Sequence, residues 1–147
     1  IMGGKGISIW SGYRNRKGFE HDFQAYFDGY LSVAQDLNGK LNLAPVFLYG
    51  ENYKNVIMKI TEGPSLLKLD YNGNHEYPPV TYTAKVYNKQ VYLFMVNSAQ
   101  EPVTAIFQNL PDKEKKELFT QEISPTLEKI VSVKLNPLEV KAFVFSE

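Results

Sequence analysis

Apolar and polar positions along this chain follow two different periods, and the change falls near residue 50. Phe19, Phe23, Phe27, Tyr30, Leu31, Ala34 and Leu37 recur at three- and four-residue steps, which lays one apolar stripe along a helix. Asp22, Gln24, Asp28, Ser32 and Gln35 fall elsewhere. Gly18 precedes the stripe, and Asn38-Gly39 follows it with residues that tolerate a left-handed C-cap. Gly29 inside the pattern costs the helix about 1 kcal/mol relative to Ala. From Asn55 onward the period is two. Asn55–Thr61, Leu66–Asp70, Val80–Tyr87, Val91–Asn97, Val103–Gln108, Glu117–Thr120, Ile130–Leu135 and Val140–Phe145 read as strands.

Turn residues punctuate those strands: Glu62-Gly63-Pro64, Asn72-Gly73-Asn74, Asn88-Lys89, Ala99-Gln100-Glu101-Pro102, Asn109-Leu110-Pro111-Asp112 and Asn136-Pro137. The clearest hairpin joins Val80–Tyr87 to Val91–Asn97 through Asn88-Lys89. About eight short strands with no helix between them predict an antiparallel β-sandwich. Its core is expected to draw on Phe94, Val96, Val103, Ala105, Ile106, Phe107, Val131, Val133, Phe143 and Phe145. Around Ile106 the segment is apolar on both faces, so alternation does not say which residues point inward. The charged run Asp112-Lys113-Glu114-Lys115-Lys116-Glu117 reads as a solvated loop.

Ahead of the helix, Gly3-Gly4-Lys5-Gly6 leads into Ile7-Ser8-Ile9-Trp10 and then Ser11-Gly12-Tyr13-Arg14. A short β-branched apolar run that ends in a polar, aromatic loop reads as a buried parallel strand. One strand and one helix make half a βαβ unit, and a parallel strand needs neighbours. No further strand–helix alternation follows, and position 1 is not Met. The expectation is therefore that residues 1–50 are the tail of a larger α/β domain whose earlier part precedes Ile1. Residues 51–147 are expected to form a separate β-sandwich domain. Between them, Leu41–Glu51 is interrupted by Pro45 and reads as an extended connector.

Composition narrows the function classes. The chain has 147 residues with Lys plus Arg equal to Asp plus Glu, 16 each. A formal charge of zero leaves no footprint for nucleic acid or an anionic membrane. Without cysteine there is no disulfide scaffold, thiolate metal site or Cys nucleophile. His21 and His75 lack the companion spacing of a metal site. Gly3-Gly4-Lys5-Gly6 precedes a strand, whereas a phosphate cradle precedes a helix. No cofactor or metal is expected. Ten Tyr and nine Phe fit carbohydrate-handling β modules and ordinary sandwiches alike.

Gly4-Lys5-Gly6-Ile7-Ser8-Ile9-Trp10, then Tyr13-Arg14, then Gly18-Phe19-Glu20 opening a helix, resembles the eighth barrel strand and following loop of clan A glycoside hydrolases, most nearly the family 42 β-galactosidases. Val91–Ser98 followed by Glu101-Pro102-Val103-Thr104 resembles a hairpin of their C-terminal sandwich, and Asn136–Val140 with Phe143-Val144-Phe145 resembles its closing strand. The likeness runs through most of the chain. It departs where the family has a His three residues after the loop Glu, since His21 directly follows Glu20 and Phe23 holds the matching position. The spacing from strand to Arg is also one residue longer, so galactose specificity does not transfer.

What the resemblance implies is the last strand and helix of a (β/α)8 barrel plus a C-terminal sandwich. The paired catalytic carboxylates of a retaining glycosidase, about 5–5.5 Å apart, would sit on strands before Ile1, so this chain holds no catalytic residue and is inactive alone. Barrel sites lie at the carboxyl ends of the strands. There Trp10 and Tyr13 would form a sugar-stacking wall, Arg14 would order a carboxylate or a hydroxyl, and Glu20 would accept from a hydroxyl pair. Each also has a plain structural role: Trp10 as core, Arg14 in a solvated basic turn, Glu20 as a helix N-terminal acid. The partner implied is carbohydrate, bound through the parent barrel, and the parent is expected to be a bacterial, exported enzyme (periplasmic, extracellular or surface-attached). A barrel strand without its barrel exposes unpaired backbone, so self-association through the N-terminal segment is expected. Two other readings stay open. One is a stand-alone carbohydrate-binding module with Tyr71, Tyr77, Tyr82 or Tyr87 as its platform; the other is a structural sandwich without a ligand.

Overall fold

The computed structural model describes residues 20–69 and 75–146, which divide into two compact units at residues 49 and 50. In the first, helix α1 (Glu20–Asn38) is followed by a short helix α2 (Ala44–Tyr49). Tyr30, Ala34 and Leu37 of the apolar stripe are half-buried, while Leu31 is exposed. The end of α1 differs from the expected left-handed cap. Gly39 N–H still donates to the Gln35 carbonyl (2.6 Å), and the Asn38 side-chain amide donates to the Ala34 carbonyl (3.3 Å). With the last turn satisfied in this way, the left-handed residue is Asn42 (φ 47°). The connector is not extended as expected either. Pro45 lies in the first turn of α2, where its missing N–H needs no partner, and Leu43 and Val46 are buried.

The second unit is mainly β, and every strand pair among the described residues is antiparallel. Its strands are β1 (Glu51–Asn52), β2 (Ile57–Glu62), β3 (Leu67–Leu69), β4 (His75–Tyr77), β5 (Val80–Tyr87), β6 (Gln90–Asn97), β7 (Val103–Gln108), β8 (Glu114–Glu117), β9 (Ile123–Pro125), β10 (Val131–Leu135) and β11 (Val140–Phe145). A six-stranded sheet runs β1-β5-β6-β11-β8-β9, a three-stranded sheet runs β10-β7-β2, and β3 and β4 form a separate ribbon. The two larger sheets bury one core. Val80, Ala84, Val91, Leu93, Met95, Phe143 and Phe145 come from the first; Val103, Ala105, Phe107, Val131, Val133 and Leu135 come from the second. This is the antiparallel β-sandwich that the alternation predicts.

Local chemistry explains the strand limits. Asn88 (φ 49°) and Lys89 (φ 65°) form the two-residue turn that matches strand twist, so β5 and β6 pair in the expected register. β2 starts at Ile57 because Asn55 (φ 73°) breaks the extended backbone, and the Asn109 amide holds the Asn55 carbonyl there (2.9 Å). Glu128 (φ 54°) and Lys129 (φ 61°) make a second such turn, closing a bridge between Leu127 and Ile130.

Three expectations fail in the sandwich. The charged run is not a loop: Glu114–Glu117 is strand β8, paired to both β11 and β9. The strand expected at Glu117–Thr120 is a turn after Glu117, capped by the Glu117 carboxylate, which accepts from Thr120 N–H (2.5 Å). Central position in a sheet thus outweighs local charge. The core list also needs correction. Leu93 and Met95, not Phe94 and Val96, face the three-stranded sheet, and Ile106 is half-buried on the face opposite Phe107. Phe94 is nevertheless buried, on the second face of the six-stranded sheet with Ala142 and Val144.

Gly63 tests the β2–β7 junction, where the ladder shifts register between Ile60 and Glu62. Its φ is +95°, and a Cβ there would stand 2.6 Å from the Pro102 carbonyl oxygen. Both strain and backbone collision oppose a side chain. Gly63→Ala is expected to cost about 2–3 kcal/mol, read as a lower urea midpoint.

Candidate functional site on the six-stranded sheet

Of the residues that sequence places at a barrel mouth, Trp10, Tyr13 and Arg14 lie outside the described residues, as does Tyr71. Glu20 is the first residue of α1. Carboxylates of the sandwich have local tasks. Glu62 accepts from Thr104 (2.8 Å), Glu139 from the Asn136 N–H (2.6 Å), and Glu76 pairs with Lys68 (3.5 Å). Among the described residues there is no cluster of three metal-ligating side chains.

The tyrosines separate by face. Tyr82 turns inward: its hydroxyl donates to the Val56 carbonyl (2.9 Å) and its ring meets Phe107 edge-on at 5.4 Å. It is a core residue, not a platform. Tyr77 pairs with Leu67 on the small ribbon. Tyr87 lies on the other face of the six-stranded sheet, at the mouth of the β5–β6 hairpin.

There the register assembles a compact polar and aromatic group. Asn52 pairs with Lys85, and Lys85 pairs with Tyr92, so the three form a line across β1, β5 and β6. Tyr87 and Gln90 are partners in the next row. Successive residues alternate between faces, which puts all five opposite the core-facing Ala84, Val86, Val91 and Leu93. The Lys85 ammonium donates to Asn52 Oδ1 (2.7 Å), and the Tyr92 hydroxyl donates to Gln90 Oε1 (2.9 Å). The Tyr92 ring lies parallel to Phe94, with centroids 6.2 Å apart and planes 7° off. Burial, and then the neighbouring Tyr87 phenol, push the Tyr92 hydroxyl above its ordinary pKa. Asn52 is exposed; the other four are half-buried. Tyr92 and Gln90 are not singled out by sequence, because β6 is apolar at most positions and its outward face is legible only once its register with β5 is known; Asn52 and Lys85 come together only through the pairing of β1 with β5.

The fold that carries this group is an antiparallel β-sandwich. No protein-family model matches the chain, and no curated protein matches it. Solved structures do. An Anoxybacillus α-amylase aligns over 80% of this chain and 22% of its own, at 14% identity and a TM-score of 0.51. The Geobacillus thermoleovorans α-amylase, solved with acarbose, aligns over 70% of this chain and 20% of its own, at 15% identity and a TM-score of 0.48. A family 42 β-galactosidase from G. stearothermophilus aligns over 84% of this chain and 13% of its own, at 18% identity and a TM-score of 0.38. The chain therefore spans about a fifth of the length of the amylases it resembles, and the likeness is one of fold.

Proposed function

We propose that this chain is the C-terminal portion of a glycoside hydrolase: the last strand and helix of its (β/α)8 barrel, joined to an accessory β-sandwich, with no hydrolytic activity of its own. The observation that supports the reading is the fold, which aligns over 80% of this chain with part of the Anoxybacillus α-amylase. The motif from Gly4 to Glu20, with its likeness to a clan A barrel strand and loop, supports the same reading from the other end of the chain. In the parent, Trp10, Tyr13, Arg14 and Glu20 contact sugar, while both catalytic carboxylates come from earlier strands.

The purified chain is expected to show no turnover of aryl α- or β-glycosides between pH 4 and 9. Two carboxylates held about 5–5.5 Å apart are required for retention, and in this reading both stand on strands before Ile1. Hydrolysis that survives repurification and disappears in Glu20→Gln or Glu51→Gln would mean that the chain is a complete enzyme. Translation of the coding DNA upstream of Ile1 supplies a second check, with two strand-like segments each ending in Glu as the expected finding.

A further inference from the structure

We propose that the line of Asn52, Lys85 and Tyr92, with Tyr87 and Gln90 beside it, is a binding surface for a neutral carbohydrate chain. The inference rests on the sandwich alone and goes beyond the barrel reading. A sugar ring presents an apolar C–H face and a rim of hydroxyls, so its receptor needs a flat aromatic face bordered by groups that both donate and accept hydrogen bonds. Tyr92 and Tyr87 supply rings with polar tips. Asn52 and Gln90 supply amides, which offer donors and acceptors together, and Lys85 supplies ammonium donors. The hydrogen bonds already present leave these capacities in place. Lys85 uses one of its three N–H groups on Asn52 Oδ1, and the Asn52 Nδ2 group is not engaged by that bond.

The arrangement is held in advance. All five side chains stand on paired strands, the Tyr92 ring lies parallel to that of its strand neighbour Phe94, and its hydroxyl is tied to Gln90. Little side-chain freedom remains to be lost on binding, which is where a shallow surface otherwise forfeits affinity. Neighbouring strands lie about 4.8 Å apart, so the line from β1 to β6 spans the reach of a disaccharide. Tyr87 is the diagonal neighbour of Tyr92 across the β5–β6 pair, within reach of an adjoining ring. The raised pKa of the Tyr92 phenol, caused partly by Tyr87, agrees with that closeness. Lys85 is the one charged residue of the group, and it faces a neutral amide, so a neutral glycan fits better than a polyanionic one.

The test is native affinity electrophoresis of the full 147-residue chain in gels containing amylopectin or, separately, β-1,4-galactan. At least one polymer is expected to retard the chain. Tyr92→Ala is expected to weaken the association about tenfold or more, and Tyr87→Ala to weaken it less. Tyr92→Phe keeps the ring and is expected to stay within about threefold of the parent chain. Urea midpoints of the same variants show whether each is folded; should Tyr92→Ala fail to fold, Tyr87→Ala at the hairpin mouth decides. Absence of retardation on both polymers overturns the proposal, as does retardation unchanged in the folded alanine variants. Hydrolysis is not part of this readout, so its failure leaves the barrel reading untouched.

Discussion

Asn97→Ala is expected to lower folding stability by about 3–5 kcal/mol, seen as a large drop in urea midpoint with the slope unchanged. Asn97 ends β6 and is fully buried. Its amide nitrogen donates to the carbonyls of Glu101 and Asn136 (both 2.9 Å), and its Oδ1 accepts from Ala99 N–H (2.9 Å). Three backbone groups from two loops, the β6–β7 connection and the β10–β11 turn, thus converge on one side chain. The backbone around it is tied the same way, with Asn97 N–H on the Glu139 carbonyl and Ser98 N–H on that of Pro79. Alanine leaves those partners unmet beside a small void, and each unmet buried group costs about 1–3 kcal/mol.

Asn97→Asp separates hydrogen-bond loss from loss of volume. A carboxylate still accepts from Ala99 but turns an oxygen toward two carbonyls. Its proton is therefore held more tightly in the folded chain than in the unfolded one, and stability falls as pH rises. The Asp variant should be at least as unstable as the Ala variant at pH 7, and the gap to the parent should narrow as pH is lowered. An Asp variant as stable as the parent at pH 7 would remove Asn97 from this role. The same geometry explains why Val96-Asn97 is followed by Glu101-Pro102-Val103: the asparagine clamps the turn that delivers β7 to the opposite sheet.

Phe107→Ala is expected to cost about 3–5 kcal/mol, whereas Ile106→Ala, one residue away, should cost below about 1.5 kcal/mol. Phe107 is fully buried, opposes Val131 and Met58 in the three-stranded sheet, and meets the Tyr82 ring edge-on. Removing it opens a cavity that rigid neighbours on both sheets cannot fill. Ile106 pairs with Lys59 and Ser132 on the outward face and is only half-buried. Equal midpoint losses for the two would mean that β7 is turned over in its register.

Much of the fold is legible in the order of the amino acids. The helix through Leu37, the strands β5, β7 and β11 to the residue, and the Asn88-Lys89 hairpin follow from short-range physics: period, left-handed tolerance and turn chemistry act within a few residues. The candidate site is legible only in part. Tyr87 stands out by sequence, but so does Tyr82, which serves the core, and Tyr92 is hidden in a strand apolar at almost every position.

The fold class belongs to the sequence: a period-two chain of short strands with Asn, Gly and Pro between them makes an antiparallel β-sandwich. Which face of β6 looks inward belongs to the assembled sheets, because both faces are buried near Phe94 and alternation carries no sign where neither face is polar. Sheet assembly also turns part of the charged run, Glu114–Glu117, into a strand, since β11 needs a hydrogen-bonding partner on its open side. The same assembly brings Asn52 of β1 beside Lys85 of β5, 33 residues on, and so completes the line that the β5–β6 hairpin begins with Lys85 and Tyr92.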